Sequence, residues 1–118
     1  MSKKPRKKPF KANLASTKML ESAGWTVGTV EQRIPHCFIT RDLFGFIDLV
    51  AVSPGRGIMG VQVTGGGNGP SRIAKIKAEA RAGIWLAAGG RIQVHDWRKR
   101  AGQKERECVI IEITKAEL

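Results

Sequence analysis

The 118 residues hold only two cysteines, Cys37 and Cys108, and neither has a second ligand at metal-binding spacing. That excludes a zinc module and a disulfide framework, and fits a reducing compartment. No apolar run is long enough to span a bilayer, and no apolar segment follows the basic N-terminus as it would in a secretory leader. The expectation is a soluble, intracellular, cytoplasmic protein. Acids are also scarce: ten Asp and Glu stand against 21 Lys and Arg, a formal net charge of +11. A field of that sign draws polyanions. Length sets one domain and there are no internal repeats.

The positive charge has three sources. Residues 1–10 form an acid-free tail with Lys3, Lys4, Arg6, Lys7 and Lys8, expected to be disordered when free; residues 11–118 form the single domain. A second group, Arg72, Lys75, Lys77 and Arg81, follows a glycine-rich loop. A third comprises Arg98, Lys99, Arg100, Lys104 and Arg106. No basic amphipathic helix with a bulky apolar face accompanies them, which disfavours a membrane surface. Nucleic acid is the expected partner.

Periodicity predicts a helix over about 12–23, with Leu14, Ala15, Met19, Leu20 and Ala23 inward and Gly24 as its stop. Residues 25–31 alternate like a strand, and 46–52 read as a strand covered on both faces. Residues 53–57 are loop chemistry and 58–64 the next strand. The loop 65–70 leads into a helix running to Ala88, with Ile73, Ile76, Ala80 and Ile84 on its core face and Gly89-Gly90 at its end. Residues 91–97 and 108–114 are two further strands. The expected packing is α/β: a small mixed sheet flanked by helices.

The chemistry concentrates in the two central strands. Folding them back about Gly55 sets Val52 against Ile58, Val50 against Gly60, Asp48 against Gln62 and Phe46 against Thr64. Opposed residues have Cβ atoms about 4.5–5.5 Å apart, so Asp48 and Gln62 can touch one ion. A buried carboxylate needs a partner or a cation. A hard cation wants more than one carboxylate, and Glu31, then Asp42, then Glu21 are the candidates for the second. A buried Asp satisfied by Gln and Thr would need no ion, and that reading stands beside the first. Lys75 lies one turn after Arg72 on the side of the helix away from Ile73 and Ile76, where either could contact a phosphate. The glycine loop could offer backbone N–H groups to a phosphate or be a plain connector. It lacks the Gly-Lys-Ser/Thr ending of an ATP-binding loop.

An apolar-Asp-apolar strand, a short loop, and an apolar strand with a polar-x-polar signature resemble the PD-(D/E)xK nuclease superfamily. The stretch from Asp42 to Asp48 with Gln62-Val63-Thr64 looks like the small Holliday junction resolvases of archaea and phages. The resemblance implies a restriction-endonuclease-like core in helix-strand-strand-strand-helix-strand order. It implies a Mg²⁺-dependent endonuclease, with Mn²⁺ as a substitute, acting as a homodimer on branched DNA. Asp48 would be the motif aspartate, Gln62 would stand at the second acid, Thr64 at the lysine, and the Val63 carbonyl would be a further metal ligand. Glu31 would complete the site and Lys75 would stand in for the missing lysine. Flaps or forks, and a catalytically silent nucleic-acid binder, are the alternatives.

Overall fold

The computed structural model describes residues 9–36 and 39–118, apart from the Glu117 side chain. Helix α1 (Ala12–Ser22) stops where Gly24 takes φ +92°, a conformation glycine reaches without strain. The Gly24 N–H then reaches Glu21 O and the Trp25 N–H returns to Leu20 O. Strand β1 (Thr26–Thr29) follows, then a separate two-stranded ribbon of β2 (Gln32–Ile34) and β3 (Ile39–Arg41). The alternating run 25–31 is therefore shorter as a strand than its pattern suggests, because the chain leaves the sheet at Val30 to enter the ribbon.

The main sheet has the order β1-β4-β5-β6-β7, adding β4 (Leu49–Ser53), β5 (Gly57–Gly65), β6 (Arg91–Arg98) and β7 (Glu107–Ile113). All pairs are antiparallel except β5 with β6, which are joined through helices α2 (Gly69–Ala78) and α3 (Ala80–Ala87). The expected hairpin register is observed: Val52 pairs with Ile58 and Val50 with Gly60. Its extension to Phe46 and Thr64 is not. The ladder ends at Leu49 opposite Val61, and residues 43–47 close a tight turn through reciprocal Leu43 and Ile47 backbone bonds. Phe44 and Gly45 have positive φ there. The turn is made of apolar side chains, so composition conceals it.

The sheet is buried on both faces. Leu20 and Trp25 pack against Leu49, Ala51, Met59, Val61 and Val63 on one side. Phe46, Ile47, Ile76, Ala82, Leu86, Ile92, Val94 and Ile113 form the other core. Gly60 belongs to that second face; a Cβ there would lie 2.8 Å from Ile47 Cδ1, so its bare backbone makes room for Ile47.

Two helical expectations are corrected. The helix expected from 70 to 88 breaks at Glu79, whose backbone is extended and whose side chain accepts from the Arg81 N–H to start α3. The break rotates the second half, so Ala82 and Leu86 are buried while Ala80 is exposed and Ile84 is 66% exposed. In α1 the buried residues are Ser16 and Leu20, and Leu14 is 48% exposed. Ser16 can be buried because its hydroxyl meets His95 Nδ1 at 2.9 Å and receives the Trp97 indole N–H at 2.8 Å. Gln93 Nε2 donates to Glu112, so Gln93 Oε1 accepts from His95 Nε2–H, and the neutral ring then accepts at Nδ1 from Ser16. Among the described residues no helix is long and apolar enough to cross a membrane.

Candidate active site

The ribbon sets the site. Glu31 immediately precedes β2 and Asp42 immediately follows β3, so pairing of the two strands brings their roots together. At the same place the Val30 N–H bonds to Asp48 O and the Asp48 N–H to Val61 O. Three carboxylates therefore converge: one oxygen each of Glu31, Asp42 and Asp48 lie within 4.8 Å of one another. They line a basin of about 330 Å³ with Asn13, Thr40, Gln62, Val63, Arg72 and Lys75. Both leading candidates for the extra acid are present, not one. Glu21 is exposed on α1 and does not line the basin.

Asp48 is 5% exposed. Its Oδ2 accepts from Gln62 Nε2 and from the Val63 N–H, both at 2.8 Å. The same Gln62 amide nitrogen lies 3.4 Å from Asp42 Oδ2. With two carboxylates on that side, the amide must present N–H to them and its oxygen away. That oxygen, Gln62 Oε1, is buried without a hydrogen-bond partner. Burial, and then the adjoining carboxyls of Asp42 and Glu31, push the Asp48 carboxyl up to about 8 despite the Val63 N–H. Asn13 donates to Glu31 Oε2 at 2.9 Å, and Lys75 Nζ lies 3.7 Å from Asp42 Oδ2.

This donor set fits a hard divalent cation. It offers three carboxylates, an orphaned amide oxygen and no sulfur or imidazole. Glu31, Asp42 and Asp48 would hold such an ion, and the Gln62 amide, whose nitrogen faces them, would have to turn over to add Oε1 as a neutral ligand.

The remaining candidates fall into four groups. Arg72 and Lys75 line the basin from α2, and Arg72 Nε is buried without a partner. Thr64 is buried two residues beyond Gln62, level with Asp96 on β6, and does not line the basin; Lys77 is exposed elsewhere on α2. Arg98, Lys99 and Arg100 sit where β6 leaves the sheet, Arg98 bound to Asp96 at 2.8 Å. Lys3, Lys4, Arg6, Lys7, Lys8 and Cys37 lie outside the described residues; Cys108 is a free, partly buried thiol.

The glycine loop does not offer its N–H groups to a ligand. Asp96 takes them, accepting from Gly67 at 3.3 Å and Gly69 at 3.0 Å. Burial works to raise the Asp96 pKa, but the Arg98 guanidinium and these N–H groups outweigh it and hold the carboxyl below its ordinary value. Asn13 and Thr40 were not legible as site residues. The only signal for Asn13 was its place in the first turn of α1, beside the apolar stripe.

No family model, curated protein or solved structure matches the chain.

Proposed function

We propose that the chain is a divalent-cation-dependent nuclease hydrolysing phosphodiesters in branched DNA, four-way junctions among them, on a restriction-endonuclease-like core. The observation that carries the reading is the convergence of Glu31, Asp42 and Asp48, with the Gln62 amide nitrogen against Asp48 and Asp42 and with Lys75 and Arg72 in the same lining. Gln62 stands where the resembling motif has an acid, and the two ribbon roots make up the charge. Thr64 stands where the motif has a lysine, and Lys75 from α2 supplies a cation at the basin.

A bound Mg²⁺ or Mn²⁺ supplies Lewis acidity toward a phosphoryl oxygen and a more acidic water. The chain's own residues do the rest. The Val63 N–H and the Gln62 amide fix the Asp48 carboxylate, Asn13 fixes Glu31, and Lys75 and Arg72 hold a phosphate of the substrate. Two copies would suit the two-fold symmetry of a four-way junction.

One observation favours a second reading, a silent nucleic-acid binder. The Gln62 amide bridges Asp48 and Asp42, and Lys75 already pairs with Asp42. One experiment separates the two. Labelled four-way junction and duplex are incubated with the protein in Mg²⁺, Mn²⁺ or EDTA, then with Asp48→Asn. Junction cleavage that needs the ion and Asp48 supports the nuclease. Binding that weakens steeply with salt, with no cleavage in either ion, supports the silent binder.

A further inference from the structure

A second basin of about 390 Å³ adjoins the acid basin and shares Thr40, Asp42 and Lys75 with it; its own walls are Arg41, Gly45 and Arg81. The sign of the lining changes across the shared edge. The acid basin gathers three carboxylates, whereas the second basin sets Arg41, Lys75 and Arg81 against Asp42 in its lining and Glu79 beside Arg81.

Arg81 is fixed in place. Its Nε lies 2.7 Å from Glu79 Oε1 and its Nη2 3.2 Å from Oε2, and its guanidinium stands 5.7 Å from the centre of the Phe44 ring. Gly45, at φ +78°, leaves the space that the guanidinium occupies: a Cβ there would come within 3.3 Å of Arg81 Nη2. A cation held by its neighbours loses little freedom on meeting an anion, which favours binding. Arg41 sits opposite, exposed on β3 at the root of the ribbon.

We propose that Arg41, Lys75 and Arg81 form a subsite for the phosphate next to the one handled at the acids. The ligand is then a polynucleotide strand, running from the acid basin past Lys75 onto Arg41 and Arg81. This rests on the nuclease reading only in that both basins serve one strand.

The test compares wild type with Arg41→Gln, Arg81→Gln and the pair. Three quantities are measured: anisotropy of a labelled single-stranded oligonucleotide in EDTA across a salt series, Mg²⁺ affinity by calorimetry, and hydrolysis of bis(p-nitrophenyl) phosphate, a diester with no neighbouring phosphate. Each lost contact should flatten the slope of log K against log salt by about 0.7, and the pair by about 1.4. The oligonucleotide KM should rise with kcat unchanged, while Mg²⁺ affinity and small-diester hydrolysis stay as in wild type. An unchanged slope in the pair, or a parallel loss of Mg²⁺ affinity, would overturn the subsite. Should Arg81→Gln disturb the start of α3, Arg41→Gln alone decides, since Arg41 is exposed. Arginine-dependent binding with no cleavage in any ion would leave the subsite standing and remove the nuclease. Cleavage with an unchanged KM in the pair would do the reverse.

Discussion

Replacing Asp48 by Asn should stabilise the ion-free protein, and increasingly so as pH rises. The folded-state carboxyl titrates near pH 8 against an ordinary value of 3.8, for the reasons of burial and neighbouring charge given above. A raised folded pKa means that the protein binds this proton more tightly folded than unfolded. Its contribution is complete below about pH 4 and is lost as pH climbs toward 8. Each unit is worth about 1.4 kcal/mol, so the full displacement is on the order of 5 kcal/mol. The open mouth of the basin screens part of this, and roughly half is the working figure. Asn keeps the shape, accepts from the Val63 N–H, and carries no charge at any pH. The Asp48→Asn protein should therefore melt close to wild type near pH 4 and at least about 5 °C higher near pH 8, both in EDTA. Circular dichroism melts at several pH values measure this, and titration of groups outside the acid cluster cancels in the difference. Adding Mg²⁺ should then raise the wild-type melting temperature alone, with an affinity that tightens about tenfold per pH unit until pH 8. A variant less stable than wild type at pH 8 in EDTA, or a gap that does not change with pH, would refute the account of the acid cluster.

Two further outcomes test the scaffold. Burial holds the His95 imidazole neutral, its pKa lowered from 6.5 to about 4, so stability is complete above pH 6.5 and falls as pH drops toward 4. The loss is on the order of 3 kcal/mol, and His95→Gln should flatten this acid limb in melts across pH. Gly60→Ala would press a methyl to within 2.8 Å of the fully buried Ile47 side chain, and chemical denaturation should show a loss of about 1–3 kcal/mol.

The central hairpin was legible because its Ser53–Gly57 turn residues centre the fold-back on Gly55, and this fixes the register as far as Leu49 and Val61. Beyond that the run stays apolar while the backbone turns at Phe44 and Gly45, so the sequence offers no sign that Phe46 and Ile47 have left the strand. The break at Glu79 is hidden for a similar reason: apolar residues continue at helical spacing through it, with no proline or glycine to mark it. Asn13 was out of reach because the rotation of α1 on the sheet decides which of its residues meets the basin. That rotation is set by Ser16 against His95 and Trp97, a buried polar contact that an apolar-stripe reading of the helix passes over.

The acids beside Asp48 were legible only as alternatives, Glu31, Asp42 or Glu21, because spacing along one strand cannot say how a neighbouring ribbon closes. Closing it brings in Glu31 and Asp42 and leaves Glu21 out. The result is unusual for this composition: Lys and Arg outnumber Asp and Glu by 21 to ten, yet three of the ten acids share one basin. If the cluster were only structural, a chain so rich in cations would most simply neutralise it with its own lysines and arginines. Among the described residues one salt bridge does so, Lys75 to Asp42 at 3.7 Å, while Asp48 is met by an amide and a backbone N–H and Glu31 by another amide. Neutral donors position carboxylates without discharging them. Asp48 is instead discharged by its own proton below about pH 8, so the divalent ion proposed above would have to displace that proton as well as meet Glu31 and Asp42.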